Sequence, residues 1–92
     1  MDNTFWQDFT IADRFGEEAV RDTFDRAFKE WRSNYKMLTE LVIVLNHKVW
    51  QHYENNNKRY MELYKQLWGD CDEWAYTNLK GEELTYYYNT TD

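Results

Sequence analysis

From Phe24 onward the apolar positions fall at Phe24, Phe28, Trp31, Tyr35, Leu38, Val42, Leu45 and Val49. The steps alternate between four and three residues, the period of one helix face and of a heptad seam. Leu41 to Leu45 are apolar at every position. No turn signal flanks that run and the helical period continues on both sides, so it reads as helix rather than strand. Five consecutive apolar residues cover the whole circumference of a helix, which makes this element central and contacted from several sides. Ile43 and Trp50 form a second stripe, seven residues apart and about 100° round from the seam. Arg32-Ser33-Asn34 interrupts the apolar pattern without shifting its phase. Ser33 is a candidate cap there, yet a sharp reversal usually takes a glycine and none is present. Residues 17–54 therefore read as one long bent helix or as two helices with a tight corner, and the unbroken phase leans to the first.

Asn55-Asn56-Asn57 is the clearest break, because asparagine tolerates the left-handed conformation that ends a helix and Asn57 can cap the next. A further helix then runs from about Lys58 to Leu79 on Tyr60, Tyr64, Leu67, Cys71 and Trp74, and Lys80-Gly81 closes it. Beyond it Leu84, Tyr86 and Tyr88 alternate with Thr85, Tyr87 and Asn89, the pattern of an extended segment. At the other end Thr4 with Gln7 reads as a capping box and Thr10 with Asp13 as a weaker cap, so residues 4–15 form one or two short helical turns ending at Gly16. Glu17 and Glu18 then open a helix where carboxylates complement the dipole. The predicted fold is all-α: a single helical domain over residues 1–92, a small bundle around a long central helix, with short N-terminal turns and an extended aromatic C-terminal tail.

Composition sharpens this picture in one respect. Five Trp, eight Tyr and five Phe stand among 92 residues, which gives a small helical domain ample apolar area. Most fall on seam positions. The remainder, Trp6, Trp50, Tyr53, Tyr76 and Tyr87, exceed what a monomer's surface needs, and exposed aromatics mark interfaces. With Ile43 they are the candidate interface. The formal charge is −6, with the negative excess in residues 1–16 and 81–92 and a balanced middle. That argues against a nucleic-acid partner or an anionic membrane. No apolar run approaches the ~20 residues of a membrane span. No signal peptide is recognisable, and a lone cysteine, Cys71, fits a reducing cytoplasm.

Candidate chemistry is sparse. Thr10 to Gly16 resembles the first half of a helix-turn-helix, but the recognition helix would begin with Glu17 and Glu18 and carry Asp22 and Asp25, which phosphates repel. His47 and His52, five residues apart, diverge by about 140° on a helix, whereas metal pairs prefer four. They read as two exposed helix residues, and no metal or other cofactor is expected. Cys71 on its seam reads as a small hydrophobe, with acidic neighbours that disfavour a thiolate. Catalytic residues are not expected.

The block Leu38 to Trp50 with Tyr53, the earlier Phe24, Ala27-Phe28 and Trp31, and the later Asn78 to Tyr86 together resemble a family of small uncharacterised proteins carried on conjugative and other mobile elements of gut Gram-positive bacteria. The resemblance spans nearly the whole chain and implies a bacterial cytoplasmic accessory protein, with no assigned activity and no functional residue. The expected function is a non-catalytic protein-interaction module with a protein partner or a second copy in a homodimer. The alternative is an acidic inhibitor that mimics DNA and blocks a nucleic-acid-binding host protein.

Overall fold

The computed structural model describes residues 4–91, which form five helices: α1 (Thr4–Phe15), α2 (Glu17–Trp31), α3 (Tyr35–Glu54), α4 (Lys58–Asn78) and α5 (Glu82–Thr91). The all-α bundle matches the sequence reading, and α3 is its centre, packed against each of the other four helices. Leu38, Leu41, Val42, Val44 and Leu45 are fully buried. Within the all-apolar run only Ile43 stays half-exposed, so the helix is wrapped on nearly its whole circumference.

One alternative is resolved and two details are corrected. Residues 17–54 are two helices with a tight corner, the second of the two alternatives. Asn34 caps α3 in an extended conformation, and its side chain accepts from the Met37 N–H at 3.3 Å. The heptad phase survives the corner because α2 and α3 both turn the same seam towards α4 and α5: Phe28 meets Trp74 at 6.2 Å, and Tyr35 meets Tyr86 at 5.3 Å. The N-terminal turns are one continuous helix of 12 residues. Thr10 and Asp13 lie within it, the Thr10 hydroxyl donating to the Trp6 carbonyl at 2.7 Å. The C-terminal segment is helix α5 rather than an extended tail. Its start uses the Gly81 carbonyl, which accepts from the Thr85 N–H at 3.1 Å, with Glu82 and Glu83 in the first turn where the dipole favours them.

The joints follow from local chemistry. Gly16 has φ 117° and ψ 179°, a region that essentially only glycine occupies. It reverses the chain between α1 and α2 in one residue. Asn56 has φ 57° and turns α3 into α4, whose cap is the Asn57 side chain accepting from the Tyr60 N–H at 3.2 Å. The Arg59 guanidinium grips Glu17 through two 2.9 Å bonds, tying the starts of α2 and α4 and holding the Glu17 carboxyl below its usual range. One apolar cluster runs through all five helices. No helix among the described residues is long and apolar enough to cross a membrane.

Candidate functional site: an aromatic groove and a buried polar cluster

The six candidate interface residues do not form one surface. Trp50 and Tyr53 do stand together. They are 58% and 61% exposed, one helical turn apart on α3, with rings edge to face at 5.8 Å. Beside them a groove of about 380 Å³ opens between α3 and α4, lined by Asn46, Val49, Met61, Lys65 and Trp68. A second hollow continues it past Tyr53 and Met61 towards Asn56 and Lys58. Ile43 is half-buried on the same stripe one heptad earlier. Trp6 instead packs onto α3, its ring face under the Lys48 ammonium at 4.3 Å and its edge near His47 at 6.5 Å. Tyr76 is half-exposed at the α4–α5 contact, 6.2 Å from the Tyr87 ring. Tyr87 is a core residue with no exposed surface, so its place among the interface candidates is withdrawn. It is the anchor of α5, and its hydroxyl donates to Asp72 Oδ1. Burial and the adjacent Asp72 carboxylate both push that hydroxyl's pKa up.

A polar cluster that the sequence reading missed lies between α1, α3 and α4. Asp13 is its centre. Its Oδ2 accepts from Lys48 Nζ at 3.2 Å and from His52 Nε2 at 3.0 Å, and its Oδ1 accepts from the Tyr64 hydroxyl. Lys48 Nζ also donates to the Thr10 hydroxyl at 2.9 Å. The His52 ring stacks on Tyr64 at 5.4 Å and meets Tyr60 edge-on at 5.3 Å. Lys48 has no exposed surface, and the Asp13 side chain retains 14%. His52 is therefore a buried residue, which corrects its reading as an exposed one, whereas His47 is exposed.

A signal for this cluster was present. Leu41, Leu45, Lys48 and His52 follow one another at four, three and four residues, so two polar side chains occupy an apolar phase. On α1, Asp13 follows the buried Phe9 by four. Chemically the cluster is closed. The ammonium has two oxygen acceptors and a ring face, and the carboxylate has three donors. A buried charge satisfied in this way positions helices, and no substrate reaches an amine without exposed surface.

Cys71 is buried in the core. Burial first, and then Asp72 and Asp70, push its thiol above the usual range, the direction that makes it inert. Among the described residues no three His, Cys, Asp or Glu side chains converge as a metal site requires. Compared with known proteins, the chain matches no protein-family profile, no curated protein and no solved structure.

Proposed function

We propose that this chain is a non-catalytic protein-interaction module, acting in the bacterial cytoplasm as an accessory factor of the mobile-element kind that the sequence resemblance implies. One observation carries the reading: the exposed Trp50–Tyr53 pair beside the α3–α4 groove. Two large aromatics more than half in water contribute little to the bundle. A partner that covers them gains the apolar area and the indole and phenol donors together, which is why Trp and Tyr dominate interface energetics. Met61, which lines the groove, adds an adaptable apolar contact. The occupant is a protein surface or a second copy of the chain.

The test is sedimentation equilibrium over a wide concentration range, run on the wild type and on Trp50→Ser/Tyr53→Ser. A concentration-dependent dimer that the double variant abolishes supports a second copy. A monomer at every concentration shifts the reading to a different protein. A dimer unaffected by the double variant would contradict this surface.

A second reading, the acidic mimic of DNA, has some support in the exposed acids of α1 and α2. Against it, Arg21, Arg26, Lys29 and Arg32 are exposed on the same stretch as Glu18, Asp22, Asp25 and Glu30, which breaks a phosphate-like row. We therefore favour the aromatic interface.

A further inference from the structure

The outer side of the α1–α2 hairpin carries apolar surface for which the fold has no use. The helix α1 enters the core through Phe5, Phe9 and Ala12. Ile11 and Phe15 point elsewhere and are 54% and 78% exposed. Phe15 is the most exposed large apolar residue among those described. Two hollows of about 380 Å³ each lie along this hairpin and meet at Asp8, Thr23 and Arg26, forming one groove. Ile11, Phe15 and Ala19 line one end, and Ala27, Trp31 and Met37 line the other. On α2 the groove runs from Ala19 to Trp31, about 18 Å at 1.5 Å per residue, a length of three helical turns.

The charge along it is one-sided. Asp8, Asp22, Glu30 and Glu40 line the groove against a single guanidinium, Arg26. None of these five forms an ion pair with a described residue. The chain as a whole carries −6, so the local and the overall fields attract the same sign of partner. A second copy brings another −6 and is disfavoured.

We propose that the α1–α2 groove docks a basic amphipathic helix of a partner protein, with apolar side chains seated at the Phe15 and Trp31 ends and Lys or Arg side chains against the four carboxylates. This groove shares no lining residue with the Trp50–Tyr53 groove and stands or falls independently of it. It also differs from mimicry of DNA, because the apolar ends require an apolar face on the ligand and charge alone does not suffice.

The test uses a synthetic peptide of about 14 residues containing only leucine and lysine, patterned apolar at i, i+3, i+4 and i+7, a face that fits a groove of this length. Its controls are a scrambled peptide of the same composition and an analogue with glutamate for lysine. Binding is read by titration calorimetry and by the change in total tryptophan fluorescence, to which Trp31 in the groove contributes. The patterned peptide is expected to bind one to one. The scrambled peptide should bind about tenfold more weakly or worse, and the glutamate analogue not at all. Ile11→Ser/Phe15→Ser, both exposed and so compatible with folding, should weaken binding about tenfold or more, and Arg26→Gln should strengthen it. Trp50→Ala should leave it unchanged. Equal binding of patterned and scrambled peptides would overturn the proposal in favour of a purely electrostatic surface. Loss on Trp50→Ala but not on Phe15→Ser would move the peptide to the other groove and overturn it as well. Absence of binding by the patterned peptide would refute it outright.

Discussion

Removing the Asp13 carboxylate is the most informative single perturbation of the fold. In Asp13→Ala the Lys48 ammonium, which has no exposed surface, loses its counter-charge and keeps only the Thr10 hydroxyl and the Trp6 ring. Breaking a buried pair by deleting one partner costs about 3–5 kcal/mol, because an uncompensated charge is left inside. The Asp13 side chain is 14% exposed, so water can enter the vacated space, which sets the expected loss near the lower end, about 3 kcal/mol. A chain of this length has about 5–14 kcal/mol in all, so the variant should fold but with much of its margin gone. Lys48→Met should cost less, about 1–2 kcal/mol, since the remaining carboxylate keeps the Tyr64 and His52 donors and some solvent. The combined Asp13→Leu/Lys48→Met should recover part of the loss, as apolar replacements of buried pairs commonly do. Urea unfolding followed by far-ultraviolet circular dichroism at pH 7 gives all three values, provided the slope is unchanged. A loss under about 1 kcal/mol for Asp13→Ala, or a larger loss for Lys48→Met than for Asp13→Ala, would refute the reasoning.

Other expectations follow from the same packing. Leu45 is fully buried at the centre of α3, so Leu45→Ala should cost about 2–5 kcal/mol in the same urea assay, and a loss below about 1 kcal/mol would remove it from the core. The Cys71 thiol should react slowly with a chromogenic disulfide reagent in native protein and rapidly in denaturant, whereas fast native labelling would place it at the surface. The folded pKa values of Cys71, Tyr64 and Tyr87 are raised from 9.0, 10.0 and 10.0, chiefly by burial. Their contribution is therefore complete below those values and is lost as pH rises beyond them. Stability should begin to fall above about pH 9 and steepen above about pH 10, by about 1.4 kcal/mol per pH unit for each group. A flat profile from pH 8 to 11 would contradict their burial. Gly69 sits in α4 with no atom within 4 Å of a Cβ added there, so Gly69→Ala should stabilise by about 0.5–1 kcal/mol, read as a raised urea midpoint.

The core of α3 was legible because burial repeats every three and four residues along Leu38, Val42, Leu45 and Val49, and nothing else generates that pattern. The corner at Arg32-Ser33-Asn34 was not. Its cap is an asparagine side chain, a weaker mark than a glycine, and the apolar phase carries across it. Helix α5 was hidden for a different reason. Only Tyr87 and Thr91 need burial there, and a single i, i+4 pair is too short to outweigh the alternation of Leu84, Tyr86 and Tyr88. Tyr87 was misplaced as a consequence, since an extended tail puts it on the surface and a helix turns it inward. Within the candidate site, Trp50 and Tyr53 were found because they lie off the seam. Ile11 and Phe15 carry no such mark, because short turns have no defined faces and only the continuous helix α1 sets these two apart from Phe5, Phe9 and Ala12. The Asp13–Lys48–His52 cluster depends on contacts between residues 35 and 39 apart, which periodicity alone does not pair.

Photo-cross-linking from position 53 tests the central claim most directly. With Tyr53 replaced by a benzophenone amino acid, irradiation in a bacterial extract should give one discrete adduct, at twice the chain mass for a second copy or at another defined mass for a different protein. The same residue at exposed Glu73, which lines neither part of the aromatic groove, should give none. No adduct from position 53, or equal adducts from both positions, would contradict the claim that this surface exists to be covered by a protein.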